Sequence, residues 1–220
     1  MCVALRNPDP DGPIRARYVE HGADGYYAAH GGSYRNPHED GVRRVVAAHA
    51  PHLGPGRILD LACGSGEVTL ALRELGVAPD AIDGADPYTG AAYRARTGRD
   101  ALPWTFADLP DQLGDRVYAA CVCSMALHLC PTSRLPSVLF AVARAARVLV
   151  VISPHKRPEI RPSWGWTLVR TDYDREWRLR SWRFSSTVAA HDPVEGSVPP
   201  GGAGDRTRDG VDPRSCPPWS

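Results

Sequence analysis

The run Arg57-Ile58-Leu59-Asp60-Leu61-Ala62-Cys63-Gly64-Ser65-Gly66-Glu67 carries an apolar strand straight into a glycine turn and then into a helix. No other stretch restricts the fold as much. A short apolar run that feeds a helical pattern begins a βα unit, and such a unit needs a parallel neighbour reached by a right-handed crossover. Gly64 and Gly66 can take positive φ without steric cost. Lacking Cβ, they also let a ligand lie against the N–H groups that open the helix.

The rest of the chain repeats this alternation. Ala81–Ala85 reads as a strand, Thr89–Thr97 as a helix, Leu102–Phe106 as a short strand and Val117–Ser124 as a longer one. Arg134–Ala146 reads as a helix leading into the apolar strand Val148–Ser153. Upstream, Asn36-Pro37-His38-Glu39 opens a helix as a capping box with proline at its first position. Val42, Val45, Val46, His49 and Leu53 then follow on one face. The pattern changes after residue 165, where Trp166–Asp172 and Glu176–Phe184 have no helix between them and read as an antiparallel hairpin at one sheet edge. The fold class expected is therefore α/β, with βαβ units building a mostly parallel sheet that ends in an antiparallel hairpin.

Three segments follow: residues 1–35, a tail and lid; 36–184, the folded domain; and 185–220, a tail expected to be disordered. That tail is dense in Pro, Gly, Asp and Arg, with no apolar period able to offset chain entropy. A formal charge of +1, from 26 basic and 25 acidic residues, gives no global field for nucleic acid or an anionic membrane surface. No run approaches the ~20 apolar residues of a membrane helix. A soluble, cytoplasmic protein with a small-molecule partner is the expectation, and its oligomeric state is not legible. Six cysteines are too sparse for a disulfide scaffold, and their spacing fits no zinc site. They read as buried thiols, and no metal is expected.

The residues around the glycines narrow the ligand. A dinucleotide fingerprint needs a third glycine where Thr69 stands, and no Gly-Lys-Ser/Thr follows as in a phosphate loop. Asp60 precedes Gly64 by four residues, where a carboxylate repels a pyrophosphate and suits a ligand carrying an ammonium group. Asp86 ends the second strand, 22 residues beyond Gly64. An acid there either holds ribose hydroxyls or caps the helix after Pro87-Tyr88-Thr89.

Together, Asp60-Leu61-Ala62-Cys63-Gly64-Ser65-Gly66, Asp86 and Ala107-Asp108-Leu109 resemble the class I S-adenosylmethionine-dependent methyltransferases over about residues 36–184. The resemblance implies a three-layer Rossmann-like sandwich with a mostly parallel seven-stranded sheet, and S-adenosylmethionine as cofactor. By it, Asp60 orients the loop and holds the methionine ammonium, directly or through water. Ala62, Cys63, Gly64 and Gly66 make room for methionine and ribose, Asp86 holds the ribose beside Pro87, and Asp108 meets the adenine amine. Phe106 or Leu109 flanks the adenine ring. Ala62 departs from the family, which often has glycine there. Asp108, before Leu109-Pro110, is also a common turn residue.

After the fourth strand, Ser124, Met125 and His128 would face the transferred methyl group. His128 reads equally as a general base near neutrality or as a cap on the next helix. The segment Tyr26–His38 gathers Tyr34, Asn36 and His38, with His30 following, as a substrate-covering lid or as packing on the sheet. The expected activity is methyl transfer to a small molecule. A non-catalytic cofactor-binding subunit and a nicotinamide oxidoreductase are the alternatives; Thr69 and Asp60 oppose the second.

Overall fold

The computed structural model describes residues 25, 30–157 and 159–189. The expected frayed start, Tyr26 and Tyr27 of the lid, and the tail from residue 190 onward lie outside the described residues.

Four parallel strands form the body of one sheet: β1 (Ile58–Leu61), β2 (Ile82–Ala85), β3 (Tyr118–Ser124) and β4 (Ala146–Ser153). The antiparallel β5 (Trp166–Asp174) and β6 (Leu179–Ser186) complete it, in the order β2-β1-β3-β4-β6-β5. β6 inserts beside β4, pairing Val150 with Arg183 and Ile152 with Ser181, and β5 becomes the edge. The helices are α1 (Glu39–His49), α2 (Glu67–Glu74), α3 (Gly90–Thr97), α4 (Leu109–Gln112) and α5 (Leu135–Ala145).

β3 is buried along almost its whole length, as expected of a strand covered on both faces. Its alternation sorts two cores. Ala120 and Val122 join Ile58, Val150, Ile152 and Leu179 under α1 and α2. Cys121 and Cys123 join Leu59, Leu61, Leu149 and Val151 under α4 and α5. Cys63, Cys121, Cys123 and Cys130 are all free and buried, and burial pushes their thiol pKa values up, so they pack as small apolar groups.

Among the described residues, six strands stand where seven were expected. The stretch Leu102–Phe106 shrinks to one parallel bridge between Ala85 and Leu102. Leu102 N–H donates to Gly84 O (2.8 Å), and Asp86 N–H donates to Leu102 O (2.9 Å). Pro103 then has no N–H with which to continue the ladder, and Trp104 turns into the core.

The start of α1 also differs from expectation. It begins at Glu39, not beside Asn36, because Asn36 Oδ1 accepts from His38 N–H (2.9 Å) and forms a turn of its own. Glu39 does not reach back to complete a capping box; it meets Arg96 on α3. The hairpin turn falls at residues 175–178, later than expected, so β5 runs on to Asp174 and β6 to Ser186, two residues beyond the expected domain limit. Arg178, with φ 54°, makes the reversal.

Candidate active site

Parallel strands leave their carboxyl ends on one edge, and there the loops after β1, β2 and β3 diverge around a cavity of about 350 Å³. Ala62 and Gly64 supply one wall, and Asp86, Pro87, Tyr88 and Thr89 a second. Trp104 to Ala107 close a third, and Ser124, Met125 and Ala126 form the floor with Leu129, Pro131 and Arg134 near them. Two non-glycine residues with left-handed backbone, Ala62 (φ 55°) and Met125 (φ 59°), both line it. That conformation costs about 1–2 kcal/mol for a residue with a Cβ, and it marks the sharp exits of β1 and β3.

The glycine turn is built tightly. Cys63 N–H donates to Ala85 O (3.1 Å) and Gly66 N–H to Cys63 O (2.8 Å). Gly64 (φ 55°) carries its Cα against the Tyr34 ring; a Cβ there would lie 3.1 Å from Tyr34 Cε1 and 3.2 Å from Glu67 Oε2. Gly66 (φ 91°) precedes α2, and a Cβ on it would come within 2.7 Å of Thr97 Cγ2.

Asp60 lies on the α2 side of the sheet rather than on the cavity wall. Its Oδ2 accepts from Thr69 N–H (3.0 Å) and Thr69 Oγ1 (2.7 Å), which clamps the first turn of α2 to β1. Thr69 Oγ1 also meets Tyr93 Oη at 3.0 Å. Asp60 Oδ1 is buried without a hydrogen-bond partner among the described residues. Burial raises the carboxyl pKa to about 7; the Thr69 bonds oppose this and the Glu67 charge adds to it.

Asp86 faces the cavity and ties two of its walls together. Oδ2 accepts from Gly64 N–H (3.3 Å), while Oδ1 accepts from Tyr88 N–H (2.9 Å) and Thr89 N–H (3.0 Å). An ionised carboxylate has about four acceptor positions, so at least one remains for a ligand hydroxyl. The capping and ligand-facing roles weighed for Asp86 are therefore compatible.

The other expected residues divide. Tyr34, Ala62, Gly64, Asp86, Pro87 and Ser124 all line the cavity, as does Phe106. Cys63 and Leu109 are buried in the core, at 3% and 0% exposure, and do not line it. Asp108 turns back on its own loop: Oδ2 accepts from Thr105 N–H (2.8 Å) and Thr105 Oγ1 (2.7 Å), bonds that hold its pKa below the usual range. His128 sits on the turn Leu127–Leu129 beside His155, ring centroids 4.8 Å apart and planes at 70°; neither lines the cavity. His38 is half-buried at the start of α1, and His30 is exposed.

Among the lining residues that were not anticipated are Trp104, Tyr88, Thr89 and Arg134. Trp104 arrives through the fold of its loop, and Arg134 through the approach of α5, neither of which is encoded nearby in the chain. Tyr88 and Thr89 follow Pro87 directly, so proximity to Asp86 was the available signal. Among the described residues no group of three or more His, Cys, Asp or Glu is placed to hold a metal ion.

No protein-family model matches the chain. It is 31% identical to the uncharacterized protein C17A5.05c of Schizosaccharomyces pombe over 224 aligned positions, covering 82% of this chain and 87% of that one. Among solved structures it is similar to magnesium protoporphyrin IX methyltransferase of Synechocystis PCC 6803 with bound S-adenosylmethionine. There the TM-score is 0.52 at 19% identity, covering 79% of this chain and 95% of that one. It is also similar to the methyltransferase CcbJ of Streptomyces caelestis, with a TM-score of 0.55 at 12% identity and coverage of 74% and 96%. The N-methyltransferase NodS of Bradyrhizobium japonicum, complexed with S-adenosylhomocysteine, gives 0.51 at 14% identity, with coverage of 69% and 88%. Identities this low speak for the fold. The chain belongs to the family of the fission-yeast protein C17A5.05c, and its fold is that of the class I S-adenosylmethionine-dependent methyltransferases.

Proposed function

We propose that this protein transfers the methyl group of S-adenosylmethionine to a small-molecule acceptor. The observation that carries this reading is the bridge from Asp86 to Gly64 N–H at the cavity wall. It supports the reading by joining an acid suited to ribose hydroxyls to a turn without a side chain on one cavity wall. The similar proteins crystallised with S-adenosylmethionine or S-adenosylhomocysteine support the same cofactor here.

The residues present fit that group. Asp86 keeps an acceptor for ribose hydroxyls, and Phe106 and Pro87 offer flat apolar surface for adenine. Gly64 presents its backbone at the wall without a side chain, and the Asp60 carboxylate, behind the turn and off the cavity wall, acts on a cation there through its charge rather than by contact. When bound, the cofactor supplies an electrophilic methyl on a sulfonium. The chain supplies alignment, which for a well-placed displacement contributes roughly 7–11 kcal/mol. Tyr34 closes against Gly64 and excludes water. Ser124 and Met125 form the floor toward the acceptor; His128, paired with His155 outside the cavity lining, fits a supporting role behind that floor rather than the role of base. His30 and His38, away from the cavity, fit a supporting role in the lid segment. Cytoplasmic placement is part of the proposal, supported by the free thiols of the described cysteines.

Calorimetry with S-adenosylmethionine, S-adenosylhomocysteine and NAD tests the cofactor. Binding of the first two at micromolar level and none of the third is expected, and tighter NAD binding would overturn the reading. Methyl transfer from labelled S-adenosylmethionine to pooled small molecules separates an enzyme from a binding subunit.

A further inference from the structure

The glycine turn is held from behind by a guanidinium that the cavity never touches. Arg96, in the last turn of α3, has a side chain only 15% exposed. Its Nη1 donates to the Ser65 carbonyl (3.2 Å), Ser65 Oγ (3.0 Å) and Glu67 Oε1 (3.2 Å). Its Nη2 donates to Glu39 Oε1 (2.5 Å) on α1. Ser65 is fully buried, and its hydroxyl donates to Glu67 Oε1. The same Glu67 oxygen accepts from Asn36 N–H (3.4 Å), at the base of the segment that carries Tyr34 onto Gly64.

One side chain thus joins four parts of the chain: the central residue of the turn, the first residue of α2, the first residue of α1, and, through Glu67, the segment over the cavity. Two carboxylates meet one guanidinium, and a planar fork can satisfy both while reaching a carbonyl. A compact ammonium has no such span. Gly31, at the far end of the same segment, packs so closely on the Tyr88 carbonyl that a Cβ there would lie 2.4 Å from the oxygen. The segment is therefore pinned at both ends, on the Asp86 loop by Gly31 and on the glycine turn by the Arg96 cluster.

We propose that Arg96 is a positioning residue that couples the Gly31–His38 segment to the Gly64–Gly66 turn, so that closure of the segment and the shape of the methionine end of the site form together. The inference rests on the cofactor reading only in naming the methionine end; the coupling itself is a property of the free chain.

The test uses the full 220-residue chain with Arg96→Ala and Arg96→Lys, and two readouts. In the free protein, hydrogen exchange of residues 31–38 and 63–67 should speed up together in Arg96→Ala, by about tenfold, while β3 and β4 keep their protection. In binding, S-adenosylhomocysteine should weaken by about tenfold or more in Arg96→Ala. Adenosine, which lacks the methionine, should weaken by less than about threefold, and Arg96→Lys should fall between wild type and Arg96→Ala. A loss shared equally by both ligands, with exchange faster throughout the sheet, would reduce Arg96 to a stabilising contact and overturn the proposal. Unchanged S-adenosylhomocysteine affinity in Arg96→Ala would overturn it too. If the wild type binds neither ligand, the cofactor reading fails and the exchange readout decides the coupling alone. Joint acceleration of the two segments then supports it, and unchanged protection of residues 31–38 refutes it.

Discussion

Asp86 and Asp108 look alike in the sequence, each an acid just past an extended stretch and just before a proline-containing turn, but the structure uses them differently. Asp86 accepts hydrogen bonds from its own turn and from Gly64, 22 positions away. Among the described residues, the Asp108 carboxylate accepts only from Thr105, three positions away. A carboxylate that bridges two loops fixes the gap between them, and that gap is the cavity. A carboxylate that closes its own turn fixes only that turn. Which of these an acid does depends on the direction the next element takes, and four spaced residues of sequence do not carry that information.

The contrast can be broken or sharpened by substitution. The largest effect is expected at the backbone on which the Asp86 bridge rests. Gly66→Val adds a β-branched side chain at φ 91° against Thr97 and Tyr93, and should lose about 3 kcal/mol or more of stability in denaturant titration. A smaller loss would mean that the turn relaxes freely. Next, Asp86→Ala removes a charged acceptor and should weaken S-adenosylhomocysteine by roughly 2 kcal/mol, about thirtyfold in calorimetry. Equal affinity would leave Asp86 with a capping role alone.

Asp60 comes third, through pH. Its pKa is raised to about 7 in the fold, above the unfolded value, so the folded state holds the extra proton. The associated stability is full below about pH 4 and is lost as pH rises through about 7. Asp60→Asn removes the titration, so its melting temperature relative to wild type should improve between pH 5 and pH 8. Binding of a ligand ammonium runs the other way, because it favours the ionised carboxylate. Affinity for S-adenosylhomocysteine should therefore fall about fivefold to tenfold from pH 7.5 to pH 6, with proton release detectable in buffers of different ionisation enthalpy. A flat profile would show that Asp60 acts only through Thr69. The smallest effect belongs to Asp108→Ala, where affinity should stay within about threefold of wild type; a larger loss would move Asp108 from the turn to the site.

Much of the fold was legible because it is local. The apolar runs at 58–61, 118–124 and 146–153 and the helical spacing of Val42, Val45, Val46 and His49 specify their elements through burial alone. The boundaries that moved did so where a side chain competes with the backbone: Asn36 captures His38 N–H and delays α1, and Pro103 ends a strand before it forms. Of the cavity lining, Gly64 and Asp86 were legible because the turn after the first strand and the end of the next strand lie at fixed places in a βαβ unit. Trp104 and Arg134 were not, since each reaches the cavity through tertiary folding of a loop. Arg96 was invisible for the same reason, its partners lying 29 to 57 positions away.

The Tyr93 ring is wedged among Gly66, Gly84 and Thr69. A Cβ on Gly84 would stand 2.5 Å from Tyr93 Cζ, one on Gly66 3.3 Å from Tyr93 Cδ2, and the Tyr93 hydroxyl reaches Thr69 Oγ1. These four positions share one volume and one hydrogen bond, so they cannot drift separately over evolutionary time. Related chains that keep an aromatic residue at 93 should keep glycine at 84 and 66, and those with a larger residue at 84 should carry a small one at 93. That pattern would trace the inherited turn through related sequences independently of what lines their cavities.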